Sequence, residues 1–282
     1  MPCGKVRGMT VAPVVSLAGG TSIPQVALGT WPMLDAEAER ACLAAFEVGY
    51  RHVDTAENYA NEVGVGRAVR ASGIPRGELF VTTKMNRQWH GAPAEGLAGN
   101  LRRLGLDYVD LVLVHWPNPA QELYVHAWEG LIALREQGLT RAIGVSNFKP
   151  AHIERIVAAT GVPPELNQIE LNPFLTRDAA RAYHERHGIV TEGWSPLGRD
   201  TGVLEHPLVT AAARAHAVSP AQVLLRWQTQ QGCVVAPRST HPRRQAQNLD
   251  VFGFDLTADE LDALHALDTG EANAVDSDTF GH

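Results

Sequence analysis

Four side chains that can transfer protons or stabilise charge lie at or just after the ends of three β-like runs of the sequence: Asp54, Tyr59, Lys84 and His115. Lys84 is the most informative of them, because the chain has only three lysines against 21 arginines. A composition that favours arginine wherever a positive charge suffices indicates that a compact ammonium is needed at Lys84. An ion pair with Asp54 would allow both charges to be buried. The ammonium would also lower the pKa of a neighbouring Tyr59 from its ordinary value of about 10, so that the phenol could serve as a general acid.

Each of these residues also has a purely structural interpretation. Asp54 could cap a helix that follows its strand. His115 could be a hydrogen-bonded core histidine, and Tyr59 could be an ordinary loop aromatic. The occurrence of four such groups at neighbouring strand ends favours the catalytic interpretation over four unrelated structural ones.

The elements that would position these side chains are eight short apolar runs, 26–29, 52–55, 79–84, 109–115, 142–146, 166–171, 189–194 and 234–237. Their nearly continuous apolar character is typical of strands buried on both faces of a parallel sheet. Helix-like segments separate them at nearly regular spacing, with a wider gap before the eighth run, where an inserted helix is expected around 197–216. The pattern predicts an α/β fold, a closed (β/α)8 TIM barrel as one domain over residues 1–282. An open doubly wound sheet is the alternative.

Further local signals refine this barrel. Residues 13–24 predict an N-terminal β-hairpin that turns at Gly19-Gly20 and covers the bottom of the barrel. Glycine stops and a Ser-Pro start predict helices over 37–48, 62–71 and 123–137, from Ser219-Pro220 to Trp227, and over 258–267. Because active sites of such barrels gather at the carboxyl ends of the strands, the polar residues there are the candidate site.

Composition and charge argue against several classes of function. A net charge of −7 with a pI near 5.9 disfavours a nucleic-acid binder. No apolar stretch approaches the roughly 18 residues of a membrane span, and residues 1–7 lack the apolar core of a signal peptide. The scattered cysteines Cys3, Cys42 and Cys233 favour a reducing compartment and no metal site. We therefore expect a cytoplasmic globular protein that binds neither nucleic acid nor membrane.

A second candidate site follows the last predicted strand. Arg238-Ser239-Thr240 runs into a predicted helix, where amide and hydroxyl donors and guanidinium groups would suit a phosphate. The structural alternative is a solvated basic helix face.

The whole chain resembles the aldo-keto reductase family, in particular its bacterial branch similar to 2,5-diketo-D-gluconate reductase. The motifs that carry the resemblance are Gly49-Tyr-Arg-His-Val-Asp-Thr-Ala-Glu-Asn-Tyr, Glu62-Val-Gly-Val-Gly-Arg-Ala, Thr82-Thr-Lys, Val114-His-Trp-Pro, Gly144-Val-Ser-Asn-Phe, Asn167-Gln-Ile-Glu-Leu and Trp194-Ser-Pro-Leu-Gly. The resemblance implies one reductase barrel domain, a monomer, that uses NADPH to reduce a small aldehyde or ketone to an alcohol by hydride transfer. It also implies that no metal takes part, and that Asp54, Tyr59, Lys84 and His115 form the catalytic tetrad, with Tyr59 as general acid.

The resemblance also implies a set of cofactor contacts. The nicotinamide would be bound by Ser146, Asn147 and Gln168 through its carboxamide and by Trp194 through its ring face, followed by Ser195 and Leu197. The adenosine phosphate would be bound by Arg238, Ser239, Thr240, Arg244, Gln247 and Asn248. Arg238 stands where the family usually has lysine, and Gln247 where glutamate is common. Two arginines favour the 2′-phosphate of NADPH, with NADH as the alternative.

The substrate pocket is the least defined part of the site. Trp31, Trp89, Trp116 and Phe148 could line an aromatic pocket, although tryptophans also fill cores. The polar tail 268–282, whose only large apolar residue is Phe280, would fold over the barrel mouth as in the resembled family. We expect this C-terminal substrate loop to be mobile and to affect substrate selection more than stability.

Two other functions stay open. A metal-dependent barrel hydrolase is suggested by 12 histidines and by the pair His52 and Asp54, but the neighbouring lysine would repel a cation. A nicotinamide-binding regulatory subunit without activity is the second, which the complete tetrad disfavours.

Overall fold

Eight parallel strands form one continuous sheet in the computed structural model, which describes residues 11–282. The strands, numbered after the two of the hairpin, are β3 (Leu28–Gly29), β4 (His52–Asp54), β5 (Phe80–Met85), β6 (Val109–Val114), β7 (Thr140–Ser146), β8 (Leu166–Glu170), β9 (Val190–Trp194) and β10 (Val234–Val235). Each strand pairs with the next one in sequence. Parallel bridges from Val26 to Val235 and from Gly29 to Arg238 join the first strand to the last and close the sheet. The (β/α)8 barrel is thus confirmed, and the open sheet was the wrong alternative.

The helices are α1 (Asp35–Val48), α2 (Glu62–Ala71), α3 (Pro93–Leu104), α4 (Tyr124–Glu136), α5 (Pro150–Thr160), α6 (Asp178–Arg186), α7 (Pro207–Ala215), α8 (Pro220–Thr229), α9 (Pro242–Leu249) and α10 (Ala258–His265). Helices α1 to α8 lie between successive barrel strands in sequence, and α9 and α10 follow the last strand. Gly49 ends α1 with a φ of 113°, a conformation that glycine adopts without strain. Ser219 accepts a hydrogen bond from the amide of Gln222 and begins α8 as the sequence predicts. The helix expected in the wide gap is α7.

The hairpin closes the end of the barrel where the strands begin. It consists of the antiparallel strands β1 (Val14–Ser16) and β2 (Ser22–Pro24). Leu17 and Ile23 are buried against the first residues of the barrel strands, among them Phe80 and Leu166. The amide of Gly19 donates to Glu165 Oε2 at 2.9 Å. The predicted hairpin and its position are therefore confirmed.

The main apolar core packs the outer helices against the sheet. It joins Val65 of α2, Leu97 of α3 and Trp128 of α4 to strand residues such as Val112. Strands β5 and β6 are buried along their whole length, as their apolar sequences predict. None of the helices within residues 11–282 has the length and apolar character needed to cross a membrane. Cys42 and Cys233 are buried free thiols, and Cys3 lies outside the described residues.

Candidate active site

The four residues singled out for proton chemistry meet at the carboxyl ends of the strands. Asp54 is the last residue of β4, and Lys84 lies one residue before the end of β5. His115 follows β6 directly. Tyr59 closes a short 3-10 helix, Glu57–Tyr59, in the loop after β4. Because β4, β5 and β6 are neighbours in the sheet, these side chains share one side of the barrel mouth.

The ammonium of Lys84 connects two of the other residues, Asp54 and Tyr59. Nζ donates to both carboxylate oxygens of Asp54 at 2.7 Å, to the carbonyl of Thr55 at 3.1 Å and to Tyr59 Oη at 3.3 Å. Lys84 is fully buried and Asp54 is 4% exposed. Burial works against the charged form of Lys84, but Asp54, Tyr59 and Glu192 together outweigh it and raise the pKa of Lys84 above its ordinary value. The lysine therefore remains an ammonium at neutral pH.

Tyr59 is half-buried beside this ammonium. Burial raises the pKa of Tyr59 above its ordinary value of 10.0, and the opposing effect of Lys84 is smaller. The expected net decrease of the pKa was therefore wrong, because the loss of hydration outweighs the nearby positive charge. The phenol is protonated at neutral pH, which is the state that a proton donor needs.

His115 also lies beside Tyr59, with ring centroids 5.9 Å apart. Burial, with Lys84 and His282, lowers the pKa of His115 well below its ordinary value, so the imidazole is neutral. Its Nδ1 is 3.3 Å from Oδ1 of the buried Asn86, and the orientation of that amide decides which ring nitrogen carries the proton. The sequence analysis did not single out Asn86, although its place two residues after Lys84 was a signal.

Residues predicted to bind a nicotinamide lie on the next three strands of the same mouth. Ser146 ends β7, and its hydroxyl donates to the carbonyl of Gln168 in β8 at 3.0 Å. Trp194 ends β9, and its indole donates to Asn147 Oδ1 at 2.8 Å. Gln168 Nε2 in turn donates to Asp54 Oδ1 at 3.3 Å. The two sets of side chains therefore form one connected site.

An arginine that the sequence analysis missed covers the aromatic rings at this mouth. The guanidinium of Arg199 lies 4.9 Å from the ring centroid of Trp194 and 5.6 Å from that of Trp31. Its Nε donates to Ser195 Oγ at 2.7 Å. Leu197, in the same loop, is half-buried against the core. The position of Arg199 directly after the Trp194-Ser-Pro-Leu-Gly motif was the available signal.

The predicted phosphate site lies around the start of α9, after β10. Arg238, Thr240 and Arg244 are exposed, whereas Ser239 and Asn248 are buried and Gln247 is half-buried. Arg238 is 3.6 Å from Glu37 Oε1, a distance at which an exposed pair is weak. Two guanidinium groups therefore face solvent beside the first turn of a helix, which is a suitable donor set for an anion.

The four aromatic residues proposed for the substrate pocket have different surroundings. Trp116 is buried, and its ring is 4.9 Å from that of Phe280. Trp89 donates its indole hydrogen to Glu57 Oε1 at 2.8 Å, in the helix that carries Tyr59. Trp31 is 52% exposed, next to Arg199. Phe148 belongs to the main core, where it packs against Tyr124 and His152 rather than standing free at the mouth.

The tail reaches the tetrad. The carbonyl of His282 accepts from the amide of Arg87 at 3.1 Å, and the His282 ring is 5.5 Å from that of His115. Lys149 Nζ lies 2.6 Å from both Asp276 Oδ1 and Asp278 Oδ2. The tail is thus attached through ion pairs as well as through aromatic and backbone contacts, and a count of its apolar residues could not show the ion pairs.

His52, part of the metal-site alternative, has another role. Its Nδ1 is 3.1 Å from the carbonyl of Pro24 and its Nε2 is 2.9 Å from Thr82 Oγ1. Burial lowers the pKa of His52 to about 3. Both ring nitrogens are therefore occupied by protein partners inside the barrel, which favours a structural role for this histidine.

Comparisons with known proteins agree with this geometry. The model of the "Aldo/keto reductase family" matches residues 19–269. An "Aldo-keto reductase" of Mycolicibacterium vanbaalenii is 50% identical over 95% of this chain and 96% of that protein. "2,5-Diketo-D-gluconic acid reductase B" of a Corynebacterium species is 45% identical over 95% of this chain and 97% of that protein. The crystal structure of a mutant of Gox0644 in complex with NADPH superimposes with a TM-score of 0.91 at 40% identity, covering 96% of this chain and 100% of that one.

Proposed function

The chain belongs to the aldo/keto reductase family, and on this premise we propose that it reduces small aldehydes and ketones to alcohols with NADPH. The observation that carries the proposal is the chain of hydrogen bonds from Asp54 through Lys84 to Tyr59, with a neutral His115 beside the phenol. This arrangement provides a proton donor and a charge-stabilising group at one point of the barrel mouth.

Each member of the tetrad has a defined part in the reaction. Tyr59 donates its phenolic proton to the carbonyl oxygen as negative charge develops there. Lys84 stabilises the charge left on the phenolate, and Asp54 keeps Lys84 protonated. His115 donates a hydrogen bond from Nε2 to the same carbonyl oxygen and orients it, in the tautomer that results when Asn86 turns its amide nitrogen towards Nδ1.

The chain also has suitable groups to hold the cofactor. Amide and hydroxyl groups at the ends of β7 and β8 suit the nicotinamide carboxamide, the indole of Trp194 suits its ring, and the solvent-facing guanidinium groups near α9 suit an adenosine phosphate. When bound, NADPH supplies the hydride for the carbonyl carbon. The residues that would hold it are Ser146, Asn147, Gln168, Trp194, Ser195, Leu197, Arg238, Ser239, Thr240, Arg244, Gln247 and Asn248.

The test is the consumption of NADPH by the purified protein with a panel of reactive aldehydes and ketones, followed by absorbance. We expect carbonyl-dependent turnover that a chelator does not affect. NADPH binding without turnover across the panel would favour the regulatory subunit. Hydrolytic activity that depends on stoichiometric zinc would favour the hydrolase.

Arg238→Ala and Arg244→Ala are each expected to weaken NADPH binding by about 1 to 3 kcal/mol, the scale of a charge-assisted contact. Binding of NADH should change much less, because it lacks the 2′-phosphate. Fluorescence titration with both cofactors measures the difference, and Arg214→Ala, an exposed arginine on α7, is the control. Equal losses for NADPH and NADH would show that these arginines do not recognise the 2′-phosphate.

Deleting residues 272–282 is expected to change KM and the ranking of carbonyl substrates, because Phe280 and His282 lie beside Trp116 and His115. The Tm should fall by only a few degrees, since the exposed ion pairs of Lys149 that hold the tail are worth about 0.2 to 1 kcal/mol each. Kinetics on the substrate panel and a thermal scan give the two readouts. An unchanged ranking, or a protein that no longer folds, would mean that the tail is structural.

A further inference from the structure

Glu192 is a buried carboxyl group that the proposed reaction does not use. It lies in β9 opposite Gln168 of β8 and Val234 of β10. Register partners on neighbouring strands point to the same face of a sheet. The Gln168 amide reaches Asp54 at the mouth, 3.3 Å away, so the Glu192 side chain also points into the barrel. Glu192 is fully buried there.

Neither carboxylate oxygen of Glu192 makes a hydrogen bond of normal geometry within the described part of the chain, although the amide of Gln168 lies near enough to compensate the charged form in part. An ionised carboxylate in such a place would lose its hydration with only this partial compensation, and the usual outcome is uptake of a proton. The titratable groups that face Glu192 are Asp54 of β4, Lys84 of β5 and Tyr59 of the following loop. The single ammonium among them already binds Asp54 through both of its oxygens.

We propose that Glu192 is a positioning residue of the active site, which holds a proton at neutral pH and releases it in alkaline solution to keep Tyr59 protonated. When Glu192 is protonated it carries no charge, so the Asp54–Lys84 pair sets the electrostatic environment of the Tyr59 phenol. The ionised form adds a second negative charge close to Tyr59. The part of this inference that concerns catalysis rests on the proposed carbonyl reduction, whereas the protonation of Glu192 does not.

The electrostatics of the site support this assignment. Burial and, to a smaller extent, the Asp54 carboxylate raise the pKa of Glu192 from 4.5 to about 8, against the opposing effects of Gln168 and Lys84. An ionised Glu192 raises the pKa of Tyr59 in turn. The negative charge on Glu192 therefore forms at a lower pH than the one at which the phenol begins to lose its proton, so it is already in place in alkaline solution.

The first readout is stability against pH for wild type and Glu192→Gln. Between pH 4.5 and about 8, Glu192 keeps its proton in the folded protein but has lost it in the unfolded chain. Its contribution to the free energy of unfolding of the wild type therefore decreases as pH rises through this range. Glutamine does not titrate. The Tm of Glu192→Gln should therefore match the wild type near pH 4.5 and exceed it by an amount that grows towards pH 8. Glu47→Gln, at an exposed position of α1, should show no such trend.

The second readout is infrared spectroscopy at neutral pH. The difference between wild type and Glu192→Gln should contain the carbonyl stretch of a protonated carboxylic acid, which should disappear in alkaline buffer. If Glu192→Gln does not fold, carbon-13 NMR of the wild type, labelled at its glutamate carboxyl groups, replaces the infrared measurement. One carboxyl signal is then expected to titrate near pH 8. No such band or signal, or a pH-independent Tm difference, would overturn the protonation.

The third readout is the pH profile of kcat/KM for carbonyl reduction. At pH 6 Glu192→Gln should resemble the wild type, because glutamine has the shape and charge of the neutral acid. The alkaline decline should begin at a lower pH than in the wild type, because the negative charge that helps to hold the proton on Tyr59 is absent. An equal loss at every pH, or an unmoved decline, would overturn the positioning role. A different result would be a wild-type protein that shows the expected protonation of Glu192 in the first two readouts but no carbonyl reduction. That result would refute the proposed function and leave the protonation of Glu192 intact.

Discussion

Tyr59→Phe is expected to lower kcat for carbonyl reduction about 100-fold or more, while NADPH binding changes little. The phenol is the only protonated donor of the tetrad whose proton is proposed to move, and transfer by a positioned acid contributes about 10²- to 10⁴-fold. Phenylalanine keeps the ring that faces His115 and removes only the hydroxyl bound by Lys84. Steady-state kinetics and fluorescence titration measure the two quantities.

Tyr183→Phe is the matched control for this experiment. Tyr183 is a buried tyrosine on α6 that stacks on His187, and α6 contributes no residue to the proposed site. Its substitution should leave kcat close to the wild-type value. A Tyr59→Phe protein that retained more than about a tenth of kcat would contradict a general-acid role of the expected size.

Lys84→Met is expected to abolish most carbonyl reduction and also to destabilise the fold. It leaves the Asp54 carboxylate buried without its cation, and breaking a buried ion pair from one side costs about 3 to 5 kcal/mol. Lys84→Arg should not restore activity, because a planar guanidinium cannot occupy the small space between Asp54, Thr55 and Tyr59 that the ammonium fills. Denaturant titration and steady-state kinetics check both parts.

The double variant Asp54→Asn/Lys84→Met separates the two effects. It removes both charges, so it should recover much of the stability lost in Lys84→Met. Activity should stay low, because the phenol still lacks its ammonium. A double variant that regained activity together with stability would show that the Asp54–Lys84 pair only supports the fold.

Much of this architecture could be predicted because it depends on local pattern. The buried strands produce apolar runs of nearly regular spacing, and the bounds of α2 follow from its composition. The tetrad could be located because parallel strands of a barrel bring their carboxyl ends to one face. Asp54 ends one such strand, Lys84 lies one residue before the end of the next, and His115 directly follows a third.

The remaining features depend on distances and burial that no local pattern contains. The direction of the Tyr59 pKa shift is a balance between lost hydration and one nearby charge. Lys149 and Asp276 lie 127 positions apart in sequence, so the attachment of the tail could not be foreseen. Phe148 follows two polar site residues, yet it packs into the core. The inward direction of Glu192 depends on its register with Gln168.

The hairpin at the bottom of the barrel also limits the routes by which small molecules can reach the active site. Leu17 and Ile23 fill the end where the strands begin, so the barrel axis is not a passage for a small molecule. Everything that reacts beside Tyr59 must arrive and depart by the mouth that also holds Gln168 and Trp194. When two ligands share one entrance, the ligand that binds nearer to the opening blocks the other if it binds first. The closed bottom therefore confines the entry and exit of every ligand to one opening, where a ligand bound near the rim hinders the movement of one bound deeper.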